Sequence, residues 1–333
     1  MKILTHPETL DYPYCRYHVT EEGVDYAYNS IKAYRLDIKP AEYSLRNIPD
    51  LKPESKKYRG KGSVISVLAD DYWKMGFLSD YFNEEVRVRC KRNDATESPF
   101  DYWTKNRQAV INEMREAKKL LTIKEVNEFL YTKNIGCNTF KPYLLVGIAK
   151  YFNSTHVLDF SSGWGDRLIG ALAAGISYVG VDPNDDLFEG YKKILTRFGN
   201  GTLIAEDPLT YSNDWNIYKM ICAPFQEADL GHYTCDLIFT SPPYFDLEIY
   251  SDKPTQSTQE FPSVNEWEKG FLYVSLAKAW HRLRPSGYLV LILNNIFGKP
   301  DFTLKAVDWA TKNLPGADYL GLLPYAHMGY NRH

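Results

Sequence analysis

The chain has 333 residues, 44% of them hydrophobic and 24% charged, which excludes a disordered or collagen-like protein and predicts two domains. A net charge of -3 excludes a uniformly basic, histone-like binder, so any polyanion must be held by a local patch. No apolar run reaches the roughly 18 residues that span a bilayer, and the first residues lack a signal-peptide core. The five cysteines, at 15, 90, 137, 222 and 235, lack CxxC spacing, which argues against a disulfide scaffold or zinc site and for a reducing, intracellular setting.

The first hundred residues are polar, Tyr-rich and weakly periodic. Pro40, Pro49 and Pro53 interrupt them ahead of a basic segment, Lys56, Lys57, Arg59 and Lys61. Residues 63–68 read as a strand, and alternation in Val86-Arg87-Val88-Arg89 predicts another, with both arginines on one face. The basic segment and a second basic cluster, Arg87, Arg89, Lys91 and Arg92, are candidates for tracking phosphates; a solvated face balanced by Asp70, Asp71, Asp80, Glu84 and Glu85 explains them equally well. Helical starts follow. Ser98 caps a helix opened by Pro99, with Asp101 three residues after the cap, and Thr122 with Glu125 opens a second.

From residue 137 the pattern is strand, turn, helix, repeated. Strands are expected at 156–160, 177–182, 217–222, 236–240, 288–293 and 319–323, with helices after the 160–165 turn and at about 187–199, 267–283 and 301–313. This alternation predicts an α/β, doubly wound, mostly parallel Rossmann-like sheet, in which ligands bind beyond the carboxyl ends of the strands. The domain reading is an N-terminal accessory region over 1–97, a candidate for target recognition, a helical linker or packing segment over 98–136, and the sheet domain over 137–333.

Two strand ends carry chemistry. In VLDFSSGWGD, Gly163 and Gly165 permit positive φ and close ligand approach, and the following helix offers free N–H groups. The second strand ends in Asp182, an acceptor for ribose hydroxyls. A dinucleotide fingerprint requires a small residue where Leu168 stands. The acid at Asp159 favours a ligand with a positive amino group, such as S-adenosylmethionine, over a pyrophosphate; a purely structural glycine turn is the alternative. The second element is TSPPY. Two prolines directly after a buried strand forbid its continuation and leave carbonyls facing the cleft. Ser241 adds a hydroxyl there and Tyr244 a rigid face. The polar loop at 251–266 follows and suits a substrate lid or an ordinary surface loop.

Together, DFSSGWGD and TSPPY resemble the exocyclic-amine DNA methyltransferases, whose signatures are an FxGxG-type turn and a [D/N/S]-PP-[Y/F/W] element. The resemblance covers about 137–323, and the turn is one residue longer than FxGxG, shifting Ser161 or Ser162 by a position. It implies S-adenosylmethionine as cofactor, held by Phe140 and Pro142 in CNTFKPYL, by Asp159, Ser161, Gly163, Gly165, Asp182 and Pro183, and by Pro224 and Phe225, the latter stacking on adenine. Ser241, Pro242, Pro243 and Tyr244 are the implied catalytic residues, with no metal. In this chemistry the Pro242 carbonyl and Ser241 hydroxyl accept the hydrogens of an NH2 group and free its lone pair, while Tyr244 stacks on the base. Methylation at ring carbon 5 needs a cysteine beside proline at this strand end, and zinc deamination an HxE with PCxxC; neither is present. The expected target is cytosine N4 or adenine N6 in DNA, a serine in the first position leaning toward cytosine, in a cytoplasmic or nucleoid-associated protein. The alternatives are an RNA base or protein amide methyltransferase and a catalytically inactive cofactor-binding module. The chain ends ten residues after 319–323, so the final antiparallel hairpin of such a sheet is expected to be short or missing.

Overall fold

The computed structural model describes residues 6–35, 37–42, 61–68, 75–134, 136–199, 201–204, 207–293, 301–321, 323 and 325–328. Lys56, Lys57 and Arg59 of the basic segment, and Asp70 and Asp71, lie outside these residues.

Among the described residues, the N-terminal hundred hold two α-helices that their weak periodicity did not announce. Glu21–Ala33 is capped by Thr20 and buries Val24, Ala27 and Ile31 along one stripe. Leu78–Arg87 occupies part of the segment expected as a strand at 86–89. Asp80, Glu84 and Arg87 share one helical face, where Arg87 is buried and forms a bidentate pair with Asp80. Arg89 lies beyond the helix end, exposed, its guanidinium 3.8 Å from the centre of the Phe100 ring. The two arginines therefore do not share a strand face. Strands β1 (Asp37–Glu42) and β2 (Lys61–Leu68) pair antiparallel, the second of them confirming the expected strand, and β3 is only Lys91–Arg92. Pro99–Glu116 and Ile123–Lys133 start where their caps predict: Ser98 Oγ accepts from the Asp101 amide at 3.1 Å and Thr122 Oγ1 from the Glu125 amide at 3.2 Å.

The main sheet contains β4 (His156–Asp159), β5 (Ser177–Val181), β6 (Thr202–Ile204), β7 (Asp207–Ser212), β8 (Ile217–Ile221), β9 (Cys235–Thr240) and, after the short β10 (Glu248–Ile249), β11 (Leu283–Leu291). Its order is β11-β9-β4-β5-β8-β7-β6. The five strands from β11 to β8 are mutually parallel, and the unforeseen β6–β7 hairpin continues the sheet antiparallel beyond β8. Successive side chains go to opposite faces. Val157, Tyr178, Leu237 and Phe239 join one core with the helices Pro142–Tyr151, Asp166–Ala174 and Phe188–Phe198. Leu158, Val179 and Ile238 join the other with Trp267, Leu276 and Phe302. The chain is thus an α/β, Rossmann-like doubly wound sheet with helices on both faces. Val24, Ala27 and Ile31 pack into the first of these cores.

The last strand is displaced from its expected position. Residues 319–321 are not a strand: Gly321 has φ 127, which breaks an extended run, and Leu320 is 73% exposed. The final strand is β12 (Tyr325–Met328), which runs parallel to β2 in the separate three-stranded sheet. Among the described residues β11 pairs with β9 alone.

Ser98 is 3% exposed and its hydroxyl also donates to Asp101 Oδ2 at 2.8 Å. Ser98→Ala is expected to lower stability by about 1 kcal/mol in urea or thermal unfolding, with no change in the denaturant slope.

Candidate active-site crevice

The carboxyl ends of β4, β5, β8 and β9 lie on one edge of the sheet. The chain runs from β4 outward to β5 and β8, then returns to the other flank of β4 with β9, so the reversal of strand order falls between β4 and β9. Their register matches Val157 with Leu237 and Leu158 with Ile238. Asp236 pins it from below, its carboxylate accepting from the amides of Thr155 and His156 and, at 2.7 Å, from the Thr155 hydroxyl. The glycine turn after β4 and the SPPY element after β9 therefore leave the sheet side by side.

In the turn, Gly163 and Gly165 have φ 57 and 92, which the glycines supply without strain. The Gly163 amide donates to Asp182 Oδ2 at 2.8 Å, and its carbonyl accepts from the Tyr191 hydroxyl. A Cβ built on Gly163 meets nothing within 4 Å, so open space faces the turn at this point. Asp182 is half-buried; its other oxygen accepts from the Asn184 amide at 3.0 Å. Burial pushes this carboxyl up to about 6, against the two amides. Pro183, beside it, is also half-buried.

Asp159 does not face the crevice as a free acid. It is fully buried, and its carboxylate accepts from Arg167 Nε at 2.6 Å, from the Tyr178 hydroxyl at 2.6 Å and from the Ser161 amide at 3.2 Å. Arg167 also donates to the Ser161 carbonyl. The charge expected to attract a ligand ammonium is thus balanced inside the turn. Burial, then Asp159, raises the Tyr178 hydroxyl well above its ordinary value, so it remains a donor. Phe140 is half-buried, 4.7 Å from the Arg167 guanidinium, with its amide on Asp166 Oδ2. Pro142 is buried at the first turn of its helix. Burial pushes the Asp166 carboxyl up to about 6, with the Ser79 hydroxyl and Lys141 acting the other way.

At the β8 end, Pro224 is half-buried, but Phe225 is 2% exposed, packed on Phe160 with ring centres 5.3 Å apart. Its carbonyl and those of Gln226 and Ala228 accept from the Lys278 ammonium at 2.7–2.9 Å. Phe225 is therefore a core residue rather than an open stacking face: an apolar ring beside a second aromatic is better placed under the loop than in water. Cys222, on the same rim, is raised to about 11 by burial and by Asp182, and Cys235, at the opposite end of its strand, to about 12 by burial. Both thiols stay protonated near neutrality, and neither adjoins the paired prolines.

In SPPY, Pro242 is buried, and Ser241, Pro243 and Tyr244 are half-buried. Ser241 Oγ and the Tyr244 hydroxyl are 3.1 Å apart, and burial raises the Tyr244 pKa. Phe245, which sequence reading passed over, has φ 55, unusual for a residue with a side chain, and is held by packing against Trp267. Beyond it, β10 pairs with β3; Glu248 accepts from the Asn138 amide at 2.9 Å and from the Tyr250 hydroxyl at 2.7 Å. The 251–266 segment contains one short helix, Ser257–Glu260, and the start of the helical run Val264–Trp280, and its Lys253 pairs with Asp185 and Asp186 just after β5. The segment thus reaches from the SPPY side to the Asp182 side.

No protein-family model and no curated protein matches the chain. Among solved structures it is similar to the CcbJ methyltransferase from Streptomyces caelestis, with 15% identity and a TM-score of 0.29, over 45% of this chain and 51% of that one. The match thus spans about half the length of that structure, and a likeness this distant carries no argument about the site. Among the described residues no group of three or more His, Cys, Asp or Glu is placed to hold a metal, and no helix is long and apolar enough to cross a membrane.

Arg167→Met leaves the Asp159 carboxylate buried without its counter-charge and is expected to cost about 3–5 kcal/mol in chemical unfolding. Removing both charges in Asp159→Asn/Arg167→Met is expected to recover a large part of that loss; losses that simply add would show that the pair is not coupled.

Proposed function

We propose that this crevice binds S-adenosylmethionine and directs its methyl group to an exocyclic amino group of a nucleic-acid base, cytosine N4 or adenine N6 in DNA. One observation carries the reading: the glycine turn and the SPPY element emerge side by side from β4 and β9, where the strand order reverses. When bound, S-adenosylmethionine supplies an activated methyl on a sulfonium. The residues present fit it. Gly163 faces open space, and Asp182 offers its remaining lone pairs to ribose hydroxyls.

The protein's work is done mostly on the acceptor. An exocyclic amine is a poor nucleophile because its lone pair is delocalised into the ring. Ser241 Oγ carries two lone pairs, so it can accept from Tyr244 and still accept one amine hydrogen; the Pro242 carbonyl takes the other. Both contacts draw the nitrogen toward pyramidal geometry. The Tyr244 ring, steadied through its hydroxyl, supplies the stacking face. A base within a duplex must be flipped to reach such a crevice. No cysteine stands beside the paired prolines, where ring-carbon methylation would need its nucleophile, and this favours the amine as acceptor.

Purified protein is expected to transfer labelled methyl from S-adenosylmethionine into DNA, with the product named by mass spectrometry of the hydrolysed nucleosides. Label found only in RNA or protein would overturn the DNA assignment. Ser241→Ala/Tyr244→Ala is expected to abolish transfer, the lost stacking alone being worth about 1–3 kcal/mol, while affinity for S-adenosylhomocysteine stays within about twofold. Turnover surviving in the double variant would refute the catalytic assignment.

Asp182 adds a pH dependence. Its folded-state pKa is raised, so the carboxylate acceptor is present above about pH 6 and lost below it. Titration calorimetry is expected to show S-adenosylhomocysteine binding about tenfold weaker at pH 5 than at pH 7.5. Asp182→Asn is expected to bind weakly at both values, with that difference gone.

A further inference from the structure

The helix Leu78–Arg87, from the segment expected to serve target recognition, buries Ser79, Asn83, Glu84 and Arg87 besides Leu78. A polar face of this kind is costly unless each group is engaged. Asn83 is 2% exposed and donates from Nδ2 to the Trp164 carbonyl, in the middle of the glycine turn, at 2.8 Å. It reaches the turn past Gly190, where a Cβ would stand 1.6 Å from Asn83 Oδ1; only a glycine at 190 admits the amide. One turn further along the same helix, Arg87, fixed by Asp80, donates to the Cys137 carbonyl at 3.0 Å. The next carbonyl, that of Asn138, accepts the Trp164 indole N–H at 2.9 Å. One helix thus holds Trp164 directly by its main chain and indirectly by its ring.

Gly163 and Gly165 on either side of Trp164 have little conformational preference of their own, so the shape of the turn must be imposed by its neighbours. We propose that Asn83 is a positioning residue of the donor site: by holding the Trp164 carbonyl from the N-terminal segment, it keeps the 163–165 turn in its ligand-ready form. This rests on the reading of the crevice as an S-adenosylmethionine site. It makes the helix Leu78–Arg87 part of that site rather than an appendage to it.

The test is a double-mutant cycle on the full-length chain, read by titration calorimetry with S-adenosylhomocysteine. Asn83→Ala is expected to weaken binding about tenfold, and Asn83→Ser, which retains a donor, by less. Gly190→Ala is expected to weaken it at least as much, because the new methyl displaces the amide. Asn83→Ala/Gly190→Ala is expected to match Asn83→Ala, since the methyl then enters vacated space. Without ligand, hydrogen exchange in Asn83→Ala is expected to quicken at 163–165 and not at Ile169. With labelled donor and a mixed nucleic-acid pool, the donor KM is expected to rise while kcat holds. Wild-type affinity in Asn83→Ala, or additive losses in the cycle, would sink the role of Asn83 alone. Should Asn83→Ala fail to fold, Asn83→Ser and Gly190→Ala decide in the same way. A wild-type protein that does not bind S-adenosylhomocysteine would sink the functional reading itself, and with it the donor role.

Discussion

Everything at the crevice depends on the parallel pairing of β4 with β9. Adjacent strands lie about 4.8 Å apart, so two loops leaving neighbouring carboxyl ends must share one space. Asp236, hydrogen-bonded to Thr155 and His156 at the opposite edge of the sheet, prevents the strands from slipping. A one-residue slip would exchange the faces of Leu237, Ile238 and Phe239 and break both cores at once. The hydrophobic pattern and one partly exposed carboxylate at the sheet edge therefore set the relative height of the glycine turn and the paired prolines.

Above that frame the crevice is built from polar contacts that leave few groups free. Asp159, Arg167, Tyr178 and Ser161 form a closed buried set, and Asp182 ties the glycine turn to the β5 end through two amides. The acid with lone pairs to spare toward the crevice is consequently Asp182, not Asp159. The electrostatic character of the site follows from this division: one carboxylate is neutralised internally, and the other is held by hydrogen bonds that carry no formal charge.

The N-terminal segment is tied to the sheet at several points. Tyr28 stacks on Phe198 with ring centres 4.1 Å apart, Asn83 meets the glycine turn, and β3 pairs with β10 just beyond SPPY. These contacts link the two halves of the crevice through a part of the chain distant from both in sequence. Lys253, reaching Asp185 and Asp186, adds a further tie across the same edge.

By itself the sequence determined the alternation of strands and helices after residue 137, the caps at Ser98 and Thr122, and the two strand-end motifs, because each depends on local periodicity or on residues a few positions apart. It did not show the helix Leu78–Arg87: Leu78, Phe82 and Val86 do recur at helical spacing, but the alternation Val86-Arg87-Val88-Arg89 across its end reads as a strand, and nothing local marks its buried polar residues. It also did not show the β6–β7 hairpin: β6 has only three residues, and Pro208 near the start of β7 reads against a strand. Whether Asp159 faces a ligand or an arginine, whether Phe225 stacks in the open or under the loop, and which residues support Trp164 were decided only by the tertiary structure. Each depends on partners far away in the chain, and the environment of a charge or a ring is a property of the packed molecule, not of its neighbours in sequence.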